Sequence, residues 1–221
     1  MEIGSKQWKT LIESGAKELG ISIQNDHVEK FALHALELMK WNKNVNLTAI
    51  TDPFEVAIKH FVDSLLPAVE IKRGASLVDI GSGGGFPGIP IKILCPSVNV
   101  LLVESSRKKV NFLKHVIRIT DLSGIDAIHA RAEDLPADRG YKGHFDIAVC
   151  RAFSSLDHFA DLAMPILKKE EGYMIAMKGK NKEASTFIHA GSKHKVDIQT
   201  KTFSLPFISS IRTIIKISFH S

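Results

Sequence analysis

Apolar residues fall on two different rhythms along this chain, one before and one after a point near residue 73. In the first third they recur at three- and four-residue spacing. Ser5 to Leu19 reads as one helix, ended by Gly20. Val28, Phe31, Ala32, Ala35 and Leu38 then make a single stripe on a second helix, with Asn25 or Asp26 as its cap and Trp41-Asn42-Lys43-Asn44-Val45-Asn46 as its run-out. Asp52-Pro53-Phe54-Glu55 carries an acidic cap, proline at the first helical position and glutamate three residues on, the signature of a new start. That third helix buries Ala57, Ile58, Phe61, Leu65 and Leu66 and stops near Pro67.

From Gly74 the apolar runs become short and nearly continuous. Ser76–Ile80, Val98–Glu104, Ile125–Ala130, Phe145–Cys150 and Gly172–Met177 read as strands. Lys108–Ile119 and Leu156–Leu167 read as helices between them. Apolar strands alternating with helices predict a parallel sheet covered on both faces. The tail breaks the rhythm: Asp197–Phe203 and Arg212–Phe219 are two strands with no room for a helix, so they pair antiparallel at one side of the sheet. The predicted fold is therefore α/β, a mostly parallel Rossmann-like sheet with an antiparallel C-terminal strand. Residues 1–72 form a helical extension packed on it, and 73–221 form the domain that holds the sheet.

Composition changes this picture little. The 221 residues are 44% hydrophobic and 24% charged, as in ordinary globular chains. No apolar run reaches the ~20 residues that span a bilayer, and Met1–Lys6 lacks the apolar stretch of a secretory signal, so no membrane association is expected. The two cysteines, Cys95 and Cys150, lie in segments that read as buried and have no CxxC spacing, which suggests a reducing, cytoplasmic setting. Ten histidines are scattered; His189 and His194 come closest to ligand spacing without completing a site, so no metal is expected. The net charge of +5 favours polyanionic partners such as nucleic acid. Lys40, Lys43, Lys59, Lys72, Arg73, Arg107 to Lys109, Lys178, Lys180 and Lys182 supply it without forming any RNA-binding module.

The chemistry begins at Val78-Asp79-Ile80-Gly81-Ser82-Gly83-Gly84-Gly85-Phe86, a strand that ends in glycines. Gly83, Gly85 and Gly88 fit the dinucleotide pattern GxGxxG; Gly81, Gly83 and Gly85 fit GxGxG, the first motif of nucleotide-dependent methyltransferases. Register separates the two. The dinucleotide reading buries Asp79 in the strand and puts Phe86-Pro87 where phosphates should sit. S-adenosylmethionine has no phosphate and carries a sulfonium, an ammonium and a ribose diol, which acids at strand ends suit. Asp79, Glu104 and Glu133-Asp134 follow successive strands, at the rim where open α/β sheets bind ligands. On this reading Glu104 accepts from the ribose hydroxyls, Ala132-Glu133 borders the adenine, Phe86 walls the pocket, and Gly81 and Gly83 let the backbone approach. A nicotinamide dinucleotide stays the competing ligand.

Trp41-Asn42-Lys43-Asn44-Val45-Asn46-Leu47-Thr48, His60-Phe61-Val62-Asp63-Ser64-Leu65, the run from Val78 to Pro90, Arg131-Ala132-Glu133, Arg151-Ala152 and Lys178-Gly179 occur in that order. Together they resemble the bacterial 16S rRNA guanine-N7 methyltransferases, the RsmG family, also called glucose-inhibited division protein B. The resemblance implies a class I S-adenosylmethionine-dependent enzyme that methylates one guanine of 16S rRNA, the family target being guanine 527. It implies cofactor contacts at Gly81, Phe86, Ala132, Glu133 and Arg151. Glu104 stands where the family often has aspartate, and Glu133-Asp134 where two glutamates are frequent; both keep the carboxylate. The expected partner is 16S rRNA in the small subunit or an assembly intermediate, the product S-adenosylhomocysteine, and the state monomeric.

Guanine N7 has a lone pair at neutral pH, so no general base is needed and catalysis reduces to alignment and exclusion of water. Arg151 at the end of its strand is a candidate contact to the cofactor carboxylate or an RNA phosphate. Lys178 at the neighbouring strand end is a candidate phosphate contact. Asn46 is a candidate for the guanine edge, and His60 for the mouth of the pocket. A small-molecule or protein methyltransferase, or a non-catalytic RNA-binding protein of the same fold, are the alternatives.

Overall fold

The structure, a computed structural model, describes residues 1–137, 140–151, 155–179 and 195–220. Ala152, Lys180, Lys182, His189 and His194 lie outside the described residues.

Helix α1 (Lys6–Glu18) starts where Ser5 Oγ accepts from Trp8 N at 3.2 Å. Helix α2 (Asn25–Val45) is capped one residue earlier than Asn25, at Gln24, whose backbone N–H donates to His27 Nδ1 at 3.2 Å. It ends at Asn46, which adopts the left-handed conformation (φ 53°, ψ 59°). The third helix begins as read, with Asp52 Oδ1 accepting from Glu55 N at 2.9 Å ahead of α3 (Pro53–Glu55). It then widens into a π-helix over Val56–Val62, returns to α geometry in α4 (Asp63–Leu65) and tightens to a 3-10 turn over Leu66–Glu70. Pro67 therefore does not stop it: the ring sits in the first turn of the 3-10 segment, where its missing N–H is not needed.

The sheet comprises β1 (Ser76–Ile80), β2 (Asn99–Glu104), β3 (Ile125–His129), β4 (Ile147–Arg151), β5 (Tyr173–Lys178), β6 (Lys195–Leu205) and β7 (Ser210–His220). Their order is β3-β2-β1-β4-β5-β7-β6. The first five strands run parallel, β7 pairs antiparallel with β5, and β6 antiparallel with β7. The hairpin pairs residue for residue from Leu205–Ser210 to Lys195–His220, longer than its apolar cores, because ladder hydrogen bonds need no apolar side chain. Between the parallel strands lie α5 (Gly88–Leu94), α6 (Arg107–Ile119) and α7 (Leu156–Ala163). α7 ends four residues before Leu167, ahead of Pro165, and Phe145 makes only an isolated bridge to Leu167.

Alternation along the strands sorts the core into two layers. Leu77, Val100, Leu102, Ile147, Val149 and Ile175 share one apolar cluster with Trp8, Phe31, Phe61 and Leu113. Val78, Ile80, Val103, Ala148, Cys150 and Met174 share the other with Phe159 and Ala163 of α7. The N-terminal helices and one face of the sheet are thus one continuous core. Cys150 is buried, whereas Cys95 at the end of α5 is only half-buried. Strand order reverses between β1 and β4, so the crevice expected of such sheets opens above their C-terminal ends.

Candidate active site

Above β1 the chain turns through Gly81 (φ 74°), Gly83 (φ 55°) and Gly85 (φ 88°), and the N–H groups of Gly81 and Ser82 both donate to Val103 O. A Cβ on Gly81 would meet no atom within 4 Å, so this glycine faces open space, and only its φ strains a side chain there. A Cβ on Gly88 would lie 2.4 Å from Leu102 Cδ2 and 2.7 Å from Asp79 Oδ2, so helix α5 packs directly on the sheet there. The open space beside Gly81 is a cleft of about 360 Å³ whose walls include Ile80, Val103, Ser105, Ala132, Glu133 and Leu162. Gly81, Ala132 and Glu133 are thereby brought together, with Ala132 opening a 3-10 turn that runs to Ala137.

Glu104 stands next to this cleft, 7% exposed. Its Oε2 accepts from Gly83 N at 3.0 Å and its Oε1 from Ser106 N at 2.8 Å. The carboxylate therefore ties the glycine turn to the start of α6; Ser105 Oγ also donates to Oε1 at 3.5 Å, and Oε2 keeps a lone pair for a further donor. Asp79 is placed otherwise than the sequence suggested. It shares the face of Leu77, not that of Ile80, so its side chain points beneath the loop and away from the cleft. Fully buried, its Oδ2 accepts from Gly88 N at 2.9 Å and its Oδ1 has no hydrogen-bond partner among the described residues. Burial pushes its carboxyl up to about 7, against the lowering effect of the Gly88 N–H and of Arg151. Asp79 braces the loop from below.

Phe86 also departs from a plain pocket wall. Its ring is 5% exposed and sandwiched between two imidazoles, His34 at 4.7 Å (14° between planes) and His60 at 4.6 Å (13°). Arg151 Cζ lies 5.0 Å from the same ring. His34 Nε2 donates to Gly84 O at 2.8 Å, and burial holds this imidazole down to about 4. His60 is fixed at both nitrogens. Arg151 Nη2, which can only donate, is 3.2 Å from Nδ1, so the proton sits on Nε2 and points to Thr48 Oγ1 at 2.8 Å. Burial, then the charge of Arg151, then His34 push its pKa down to about 3. At neutral pH His60 is an uncharged ring.

A second cavity of about 360 Å³ lies beside this stack, lined among others by Ile50, Lys59, His60, Arg151, Lys178 and Arg212. Three of the four residues expected to position a substrate, Arg151, His60 and Lys178, meet there. Arg151 Nη1 donates to Lys59 O at 3.0 Å. Asn46 is not among them: it is exposed at the left-handed end of α2, outside the residues lining either cavity. The amide that acts in this region is Asn42. Its Oδ1 accepts from Leu47 N at 2.7 Å and Thr48 N at 2.9 Å, and its Nδ2 donates to Thr48 O at 2.9 Å. Thr48 is thereby held against His60. Asn42, Thr48, Asp63 and Arg212 were given no role from sequence, although the first three lie inside the segments that carried the resemblance. Among the described residues no three His, Cys, Asp or Glu stand together to hold a metal.

A comparison with protein-family models matches residues 27–211 to GidB, rRNA small subunit methyltransferase G. The Ribosomal RNA small subunit methyltransferase G of Geobacter metallireducens is 45% identical over 210 residues, covering 94% of each chain. That of Desulfitobacterium hafniense is 46% identical over 163 residues, 74% of this chain and 67% of the relative. Among solved structures, a SAM dependent methyltransferase from Aquifex aeolicus superposes with a TM-score of 0.55 at 13% identity, covering 81% of this chain and 97% of that one. M. jannaschii TYW2 in complex with AdoMet gives 0.55 at 15% identity over 72% of this chain and 74% of that one. The solved structures share the class I methyltransferase sheet that the strand order describes, and the Geobacter metallireducens relative carries the match along almost the whole chain. This chain belongs to the rRNA small subunit methyltransferase G family.

Proposed function

We propose that the protein transfers a methyl group from S-adenosyl-L-methionine to N7 of a single guanine of 16S rRNA, guanine 527 in the family's numbering. The observation that carries this reading, beyond family membership, is the pair of cavities flanking one glycine loop. One opens at Gly81 and the other at Arg151, whose guanidinium carbon lies 5.0 Å from the Phe86 ring of that loop. The first fits the cofactor: a side chain at Gly81 would fill space that is open, and Glu104 Oε2 keeps a lone pair beside it for a ribose hydroxyl. Gly81, Gly83, Ala132, Glu133 and Glu104 hold the adenosine end, and Arg151 takes the carboxylate. Bound S-adenosylmethionine supplies an electrophilic methyl on its sulfonium.

The chain's own part is to place the guanine and keep water out. His60 is neutral with both nitrogens engaged, so it presents a flat apolar face to a ring and is not available to take a proton. That suits a nucleophile whose lone pair is already exposed, since N7 needs no deprotonation. Lys59 and Lys178 border the same cavity and suit phosphate oxygens of a splayed loop. We read residues 1–72 as the extension that covers this cavity and 73–221 as the catalytic domain, acting as a cytoplasmic monomer on the small subunit or its assembly intermediate, without a metal. None of the described helices is long and apolar enough to cross a membrane.

Incubation with methyl-tritiated cofactor and unmodified 16S rRNA or small subunits tests the reading. Label at N7 of one guanine is the expected result. Label in protein or metabolites with none in either RNA substrate would replace it with a methyltransferase of another class, and cofactor-free RNA binding would replace it with a non-catalytic protein.

A further inference from the structure

Two arginines far apart in the chain, Arg151 ending β4 and Arg212 in β7, enter the second cavity together. Between them stands Asp63, the first residue after the π-helical turn and 1% exposed. Its Oδ1 accepts from Arg212 Nε at 2.7 Å, and its Oδ2 lies 3.7 Å from Arg151 Nη1. Two guanidinium groups brought into one cavity repel each other, and a carboxylate between them removes that cost. The carboxylate itself is unfavourable there: burial pushes its pKa up, while both arginines pull it down. Buried ion clusters of this kind are poor devices for stability alone, since an apolar group of similar size often does as well.

The two arginines depend on Asp63 unequally. Arg151 is also bonded to Lys59 O and His60 Nδ1. Arg212 Nε has the shorter, better aligned contact to the carboxylate. With one negative and two positive charges, the cluster presents a net cation to the cavity, bordered further by Lys59 and Lys178.

We propose that Asp63 is the positioning residue of the substrate cavity: it aims Arg212 at an anionic group of the RNA, a phosphodiester beside the target base, while Arg151 on its other side stays with the cofactor carboxylate, and it acts through Arg212 without touching the RNA. This rests on the functional reading above. At 1% exposure Asp63 is too deeply buried to be a contact, and its two oxygens face Arg212 of β7 and Arg151 of β4.

The test is a double-mutant cycle read as KM for unmodified 16S rRNA at saturating cofactor, with calorimetry of S-adenosylhomocysteine alongside. Asp63→Asn is expected to raise KM for RNA about tenfold or more while cofactor affinity stays within about twofold, because Arg151 keeps its two neutral anchors. Arg212→Gln is expected to raise KM similarly, and the double variant to be no worse than the worse single, the non-additivity of residues acting as a unit. Additive effects, or wild-type KM in Asp63→Asn, would overturn the proposal. Should Asp63→Asn not fold, Arg212→Lys keeps the charge but loses the aimed fork; it is expected to raise KM, and wild-type KM there overturns the proposal equally. A wild-type protein that labels no RNA refutes the functional reading itself, and this inference with it.

Discussion

Asp79 and Glu104 are both buried acids beside the glycine turn, and the difference between them is one of side-chain direction. Glu104, at the end of β2, reaches up to Gly83 N, whereas Asp79 points down to Gly88 N. Replacing Gly81 by alanine forces a Cβ onto a residue at φ 74°, a strain of about 1–2 kcal/mol, and projects it into the cleft. S-adenosylhomocysteine affinity in Gly81→Ala is expected to fall about tenfold or more by calorimetry, with RNA affinity little changed. Equal cofactor affinity would remove Gly81 from the site. Glu104→Ala leaves the N–H groups of Gly83 and Ser106 unpaired, so it is expected to weaken the cofactor in the same assay and to lower the melting temperature as well. At this scale the sequence was half legible. Acids at strand ends were visible, but period two hides which face a residue takes when both faces of a strand are apolar, and so Asp79 was read as facing the ligand.

The elements were the most legible part, because each strand is a short apolar run and the third helix announces its start with Asp52 and Pro53. What left no trace was the π turn over Val56–Val62: a change of hydrogen-bond register needs no change of composition, and it is from this turn that His60 projects and Asp63 follows. The Asn42 clamp was equally hidden, since its amide reaches six residues forward to Thr48. In Asn42→Ala, two N–H groups and one carbonyl lose their partners, which is expected to cost about 1–3 kcal/mol and several degrees of melting temperature. The loosened Thr48 should also free the His60 tautomer, seen as a change in its imidazole nitrogen shifts. An unchanged melting point together with unchanged shifts would remove Asn42 from the support of the site. Asn46→Ala, at an exposed position, is the control and is expected to keep the His60 signals.

Across the molecule, the Asp63 cluster and the His34–Phe86–His60 stack join the N-terminal helices to the sheet, contacts between residues too distant for any spacing rule to reveal. They also set the acid response. His34 and His60 are held at about 4 and about 3 against an ordinary 6.5, so below 6.5 the unfolded chain binds protons that the folded chain refuses. Stability therefore rises with pH across that window. Asp79, raised to about 7 from 3.8, works in the opposite sense between those values, because there the folded state holds the extra proton. Asp63, which burial also raises, works in the same sense as Asp79, but the two imidazoles together are displaced further from their ordinary value than Asp79 is, which leaves net acid lability. Chemical denaturation is expected to show a lower unfolding free energy at pH 5 than at pH 7, with a flatter profile in His34→Gln; a higher value at pH 5 would contradict the neutral stack. Methylation of the RNA itself is tested by the level of N7-methylguanine at each position of 16S rRNA from cells with and without this protein. The modification is expected to vanish at guanine 527 alone when the protein is absent. Full methylation there without the protein would contradict that expectation.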